Sequence, residues 1–280
     1  MQKEVIDSEV FNTLRKERSD FNDWVHTKLL ALPGELTQNQ VGLSDKDLAF
    51  MQDTLNVIIH CAAVVDFNER LDRAVELNVM GALRLMEIAQ KCKNIGAFVH
   101  VSTAYVNSNR FGWVDEKLYP LGFDPEQMVA KVRTMNTTQL EQVSESGMLG
   151  DWPNTYTFTK AMAEHLMFQK RGRVPLVIVR PSIIGCLWRE PQPGWIDVIS
   201  AAAAVYMAVG LGVLQFLPGT PETVADIVPI DYVVNTMLAV IPAIYDQQEK
   251  FFVAQACTSS ERPMQWASPQ TVIVDYFSDH

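Results

Sequence analysis

The fold is decided by residues 56–102: NVIIH at Asn56–His60, a long segment from Arg70 to Cys92, then AFVHVS at Ala97–Ser102. Short apolar runs of this kind suit parallel strands buried on both faces. Between them Ala74, Leu77, Asn78, Gly81, Leu85, Ile88 and Ala89 fall near one face of a helix. Asn78 is the polar exception on that face and reads equally as a core amide bonded to backbone. A second helix, Thr155–Lys170, leads into another apolar run, LVIV at Leu176–Val179. Strand and helix alternating in this way predict an α/β fold with a parallel sheet covered on both faces. Such sheets bind ligands outside the carboxyl ends of their strands. His60–Ala63, Ser102–Thr103 and Pro181–Gly185 converge there.

The flanks read less sharply. Ser8–Asp20 has the pattern of a surface helix, and Lys28–Leu36 (KLLALPGEL) that of a short strand ending in a Pro-Gly turn. Ser44 with Asp47 three residues on predicts a capped helix to about Leu55. Gln127–Val143 predicts one or two helices, and Asp226–Asp231 (DIVPID) leads into a helix to about Ile244 with Asp231 as N-cap. Lys250–Ala256 reads as a last strand. Val198–Leu217 is a run of 20 residues without a charge, the length of a membrane span. Its alanines, its Gly210 and Gly212, and the lack of a clear basic flank suit a buried helix or the lining of an apolar pocket better. No internal repeat or low-complexity linker is evident.

The chain has 280 residues, 48% hydrophobic and 20% charged, enough for a sizeable core. A net charge of −10 leaves no basic surplus for nucleic acid. Cys61, Cys92, Cys186 and Cys257 lack metal-ligand or disulfide spacing and read as reduced, mostly buried thiols of an intracellular protein. MQKEVIDSEV has no apolar signal core. No metal site is predicted.

Chemistry is suggested by WPNTYTFTK at Trp152–Lys160, where Tyr156 and Lys160 stand four apart. On a helix their Cβ atoms lie roughly 5–6 Å apart. An ammonium so close to a phenol favours the phenolate, so Tyr156 is expected to have a lowered pKa and to exchange protons near neutrality. Taken alone the pair reads as a packed tyrosine with a surface lysine one turn away. His60 and His100 end or lie within strands and read as structural. Asp226 and Asp231 read as caps and loop anchors.

Seven segments together resemble the fatty acyl-CoA reductases, a family of extended short-chain dehydrogenases/reductases with an NAD-binding "male sterility" domain. They are HCAAVVDF (His60–Phe67), LNVMGALRLMEIA (Leu77–Ala89), FVHVSTAYVN (Phe98–Asn107), GDWPNTYTFTK (Gly150–Lys160), VIVRPSIIG (Val177–Gly185), PGWID (Pro193–Asp197) and DIVPIDYVVN (Asp226–Asn235). They cover most of the chain from Lys28 to about Trp266. The resemblance implies a Rossmann-like doubly wound sheet and NADPH-dependent reduction of a long-chain fatty acyl-CoA to a fatty alcohol through an aldehyde, consuming two cofactors. It implies roles in fatty alcohol, wax ester or ether lipid synthesis. By resemblance Tyr156 is the acid/base and Lys160 lowers its pKa and holds the nicotinamide ribose. Thr103 bonds the substrate carbonyl, with Ser102 its nearest rival. Asn78 orders a proton-relay water through the helix backbone. Cys61, Ala62 and Ala63 lie against the cofactor, Pro181 and Ser182 near the nicotinamide, and Glu35 near the adenine.

The chain departs from the family at its start. No GxxGxxG turn occurs in the 280 residues, and such a turn normally holds the cofactor pyrophosphate at a helix N-terminus. The expectation is therefore a single, incomplete reductase domain lacking its first βαβ unit, truncated at both ends relative to the family. Residues 28–185 would form the sheet core and 186–280 a small substrate-binding part with the last strand. Losing the central strands would leave Asn56–His60 as an exposed edge, unless Lys28–Leu32 shifts to pair with it. Two other enzyme readings remain, a hydroxysteroid dehydrogenase and a sugar-nucleotide epimerase. A non-catalytic interaction protein on a degenerate reductase fold is a third. Covalent thioester capture by Cys61 beside His60 is opposed by strand geometry, because adjacent residues face opposite sides. The resemblance places the protein in the cytoplasm or on the cytosolic face of peroxisome or endoplasmic reticulum, with 198–217 as a possible membrane contact.

Overall fold

The computed structural model describes residues 5–216 and 218–279. Met1–Glu4, the start of the leader reading, and Leu217, the end of the uncharged stretch, lie outside the described residues.

In chain order the helices and strands begin with α1 (Asn12–Glu17), α2 (Phe21–Lys28), α3 (Asp45–Thr54), β1 (Val57–His60), α4 (Leu71–Ala74), α5 (Gly81–Lys91) and β2 (Ala97–Val101). There follow α6 (Pro125–Thr134), α7 (Thr137–Glu141), α8 (Thr155–Lys170), β3 (Leu176–Pro181), β4 (Ile183–Gly185) and α9 (Ala201–Gly210). The last are β5 (Val224–Ala225), β6 (Ile227–Pro229), α10 (Ile230–Ala243), β7 (Phe251–Ala256), β8 (Met264–Gln265) and α11 (Ala267–Asp279).

Two compact units emerge. The larger comprises Pro33–Pro181 and Thr236–Gln255. Its sheet has the order β1-β2-β3-β7. β1 and β2 run parallel with His60 opposite His100, and β2 and β3 run parallel with Val101 opposite Val179. The central strands are closed to solvent, with Phe98, Val99, Leu176, Val177, Ile178 and Val179 at 0% exposure. That is why they read as unbroken apolar runs instead of alternating ones. Ala82, Met86 and Ala89 of α5 join Phe158, Met162 and Leu166 of α8 in the same core. The Ser44 cap forms as expected, its Oγ accepting the Asp47 N–H at 3.2 Å. Gln127–Val143 resolves into α6 and α7, the latter started by a reciprocal Asn136–Gln139 capping box.

The other unit comprises Met1–Leu32, Ser182–Asn235 and Ala256–His280. It holds the parallel pair β4–β6, the antiparallel pair β5–β8, and helices α9 and α11. Ile6, Phe21 and Val25 form a small separate cluster with Trp24 against it.

Several expectations are corrected. Lys28–Leu36 is not a strand: Lys28 closes α2, the next residues are extended without sheet pairing, and Leu30 is 69% exposed. β1 is therefore an edge with β2 as its neighbour, and its Ile59 is 42% exposed. The surface helix at Ser8–Asp20 breaks after Glu17, where Arg18 turns to an extended backbone. Asp231 lies inside the first turn of α10, and its carboxylate accepts the N–H groups of Trp188 and Arg189 at 3.2 and 3.1 Å, so it braces a loop. Strand β8 follows β7, which is thus not the last. The thiols are not mostly buried: Cys92 is, but Cys61 and Cys186 are exposed.

Candidate active site

Helix α8 starts where Asn154 Oδ1 accepts the Thr157 N–H at 2.9 Å, which sets Tyr156 and Lys160 one turn apart on its first two turns. Tyr156 hydrogen-bonds Thr103, at the carboxyl end of β2. Thr103 Oγ1 also donates to the Pro181 carbonyl, at 3.5 Å, and accepts the Tyr105 N–H at 3.3 Å. Tyr156, Thr103 and Pro181 thus form one chain of polar groups at the strand ends.

The electrostatics differ from expectation. Burial raises the Tyr156 pKa, opposed by its bond to Thr103. The expected lowering by Lys160 is not seen, because the ammonium is turned to the strand: Lys160 Nζ donates to the Val101 carbonyl at 2.6 Å. Lys160 itself is 2% exposed. Burial draws its pKa down to about 8, against the pull of Glu164 and Cys61 upward.

Asn78 is built in by a change of helix type. Residues Val75–Met80 are π-helical between α4 and α5, and the Gly81 N–H bonds the Glu76 carbonyl, one residue further back than in an α-helix. Insertions of this kind recur at functional sites. The Asn78 side chain is fully engaged: Oδ1 accepts the Val64 N–H at 2.8 Å, and Nδ2 donates to the Val64 carbonyl and Thr159 Oγ1, both at 3.1 Å. The side chain therefore clamps the loop after β1 to α8. Thr155 supplies a second clamp, its Oγ1 donating to the Glu69 carbonyl at 2.8 Å and the Phe67 carbonyl at 3.3 Å.

That loop carries Cys61 and Ala62, both exposed, and Ala63, half-buried, so small side chains do face outward at the end of β1. Phe67 stands beside Tyr156, ring centroids 5.8 Å apart, yet remains 58% exposed. Ser102 is buried with its Oγ making no hydrogen bond, while its N–H bonds the Val179 carbonyl at 2.7 Å. Pro181 is buried at the end of β3. Ser182 falls in the other unit, where its side chain is buried and its N–H donates to the Ala256 carbonyl at 3.1 Å. Glu35 is exposed and not gathered with the others; its carboxylate holds a local turn through Thr37 N and Oγ1, at 3.1 and 3.0 Å.

Sequence reasoning missed the two threonine clamps, although TYTFTK puts hydroxyls on both sides of Tyr156. It also missed the buried pair Arg180–Glu164, joined at 2.9 and 2.6 Å, which ties β3 to α8 below Lys160. An acid in a helix and a base sixteen residues later carry no local signal. His60 and His100 meet across β1 and β2, Nδ1 to Nδ1 at 3.0 Å. One ring must donate and the other accept, so at least one of the two rings is neutral. Burial and the nearby Lys160 lower both pKa values, that of His60 to about 4. Among the described residues no cluster of His, Cys, Asp or Glu is arranged to hold a metal.

The fatty acyl-CoA reductase 1 of Mus musculus is 38% identical over 278 residues, 98% of this chain and 52% of that protein. The chain thus spans about half the length of the curated relatives it matches. Among solved structures, the terminal R domain from the myxalamid PKS-NRPS pathway superimposes with TM-score 0.57 at 19% identity, over 83% of this chain and 50% of that one. The RMD protein of Pseudomonas aeruginosa, solved with NADPH, gives TM-score 0.52 at 16% identity, over 89% and 75%. These two show a shared Rossmann-like fold. The profile of the NAD-binding male sterility protein family matches residues 1–237. With that profile spanning most of the chain and the Tyr156–Thr103–Lys160 site at its strand ends, the chain belongs to the NAD-binding male sterility protein family.

Proposed function

We propose that this protein reduces a long-chain fatty acyl-CoA to the fatty alcohol, through the aldehyde, with NADPH as reductant. The Tyr156–Thr103 hydrogen bond beside a buried Lys160 carries the reading. The residues present fit the nicotinamide end of a dinucleotide: small residues at Cys61–Ala63 give access to backbone, and the unpaired buried Ser102 Oγ suits a ligand partner. Lys160 would hold the ribose, with Pro181 near the ring. A bound nicotinamide supplies the hydride.

The side chains do the rest. Thr103 and Tyr156 would donate to the thioester oxygen as charge develops on it, a role typically worth ~3–4 kcal/mol per donor. Loss of the CoA thiol leaves an aldehyde, and a second reduction with a proton from Tyr156 gives the alcohol. A phenol whose pKa is raised holds its proton until that oxygen demands it, which suits reduction better than oxidation. Phe67 and Val65, 58% and 69% exposed on the clamped loop, offer an apolar approach that a sugar nucleotide would not use.

The test is hexadecanoyl-CoA with NADPH or NADH, following cofactor absorbance and identifying the alcohol by gas chromatography, with Tyr156→Phe alongside. The expected result is acyl-dependent NADPH consumption, lost in the variant. Cofactor consumption without dependence on acyl-CoA, or none at all, refutes the proposal. We further propose an intracellular site of action, on the cytosolic side of peroxisome or endoplasmic reticulum or in cytoplasm, which imaging of a tagged chain would test.

A further inference from the structure

The uncharged stretch at 198–217 is not a spanning helix. No helix among the described residues is long and apolar enough to cross a membrane, and α9 accounts for only 10 residues of the stretch. Its side chains have another use. Val205, Tyr206 and Val209 of α9 face a cavity of about 420 Å³, closed on the far side by Trp266 and by Ile273 of α11. That volume lies within the range of small-molecule sites, roughly 300–1,000 Å³.

The cavity is built, not a gap left by loose chain. Tyr206 and Trp266 meet edge to face, centroids 6.3 Å apart at 76°. The loop after α9 folds back, with the N–H groups of Val213 and Leu214 both bonded to the Ala208 carbonyl at 2.9 Å. Its return is pinned by the Trp266 N–H on the Thr223 carbonyl at 3.1 Å and the Ala267 N–H on the Pro221 carbonyl at 3.0 Å. Helices α9 and α11 touch at Gly210, where a Cβ would stand 2.2 Å from Phe277 Cε2, so only glycine permits the contact.

The lining decides the occupant. Among the described residues that line the cavity none is charged. Two of the polar ones are already used: Thr220 bonds Thr223, Oγ1 to Oγ1 at 3.3 Å, and Gln215 donates to the Gly212 carbonyl at 3.4 Å. A phosphate or a carboxylate would lose its water here and meet no charged partner, a penalty an alkane does not meet. At the rim Phe216 is 87% exposed, which is unfavourable unless an apolar ligand covers it.

We propose that this cavity is a binding site for an unbranched alkyl chain. The test uses cis-parinaric acid, a fluorescent polyunsaturated fatty acid, titrated into the full chain without cofactor. Saturable binding at one probe per chain is expected, displaced by hexadecanol but not by a sugar nucleotide. Val209→Trp, which fills the cavity, and Val209→Glu, which charges it, should each weaken binding at least tenfold with the far-ultraviolet circular dichroism of the parent. Because either variant could fail to fold, a photoreactive hexadecanol analogue is also cross-linked to the unaltered chain. Labelling within 201–221 or 266–273 supports the site, and labelling confined elsewhere overturns it. Lack of saturable binding, unchanged affinity in both folded variants, or displacement by a sterol but not by hexadecanol also overturns it. The outcome is independent of reductase activity: a chain that binds the probe but reduces no acyl-CoA would sink the proposed function and keep the site.

Discussion

Replacing Asn78 with alanine should loosen the loop after β1 that carries Cys61–Val64. The side chain makes three hydrogen bonds, two of them to both polar groups of Val64 and one to Thr159. At a net value of about 1 kcal/mol each, and with Val64 left partly unsatisfied, the loss is ~2–4 kcal/mol. For a chain of this size that corresponds to a fall in Tm of about 3–7 °C. Urea unfolding gives the first readout. The second is amide exchange across residues 62–70, where ~2 kcal/mol less protection means about thirtyfold faster exchange at Val64. Asn78→Asp should not rescue, because it keeps the acceptor for the Val64 N–H but sets a carboxylate oxygen against the Val64 carbonyl. A stability change within about 0.5 kcal/mol, or unchanged exchange in the loop, would show that the clamp is not what Asn78 contributes. Its backbone would then be the better candidate, as the family resemblance implies.

Three further outcomes are expected. Lys160 has a folded pKa near 8 against the ordinary 10.5, so the unfolded chain binds more protons between those values and stability rises with pH across that window. Lys160→Met should therefore raise stability at pH 7 by roughly 1–2 kcal/mol after its lost hydrogen bond, with the gain vanishing toward pH 10.5, while cofactor affinity falls; thermal melts across pH check this. Glu164→Gln leaves the Arg180 guanidinium buried without its carboxylate and should cost ~3–5 kcal/mol, whereas Glu164→Leu with Arg180→Met should recover most of it; equal losses in the single and double variants would count against the pair. Phe67→Ala should raise KM for long acyl-CoA with a smaller effect on kcat, and Phe67→Leu should restore it; steady-state kinetics with a dodecanoyl and a hexadecanoyl substrate would reveal an unchanged KM if the residue does not meet substrate.

What the sequence determined by itself was whatever has a short-range cause. The apolar runs at 97–102 and 176–179 have no polar alternation, because both faces of their strands are covered, and they became β2 and β3, while the run at 56–60 became the edge strand β1. Ser44 announced a helix start because a cap acts within three residues. Tyr156 and Lys160 were legible for the same reason, since four residues are one helical turn. The tertiary structure alone decided where the lysine points and what the phenol feels. Lys160 turned to the Val101 carbonyl, and burial, not the ammonium, sets the direction of the Tyr156 shift. It decided that Asn78 works through its amide on Val64, and that Glu164 meets Arg180. It decided that Lys28–Leu32 forms no strand, since local preference cannot supply a ladder partner. It turned an uncharged run long enough for a membrane into one wall of a cavity, because the opposite wall comes from residues 266–273, roughly fifty positions further along the chain.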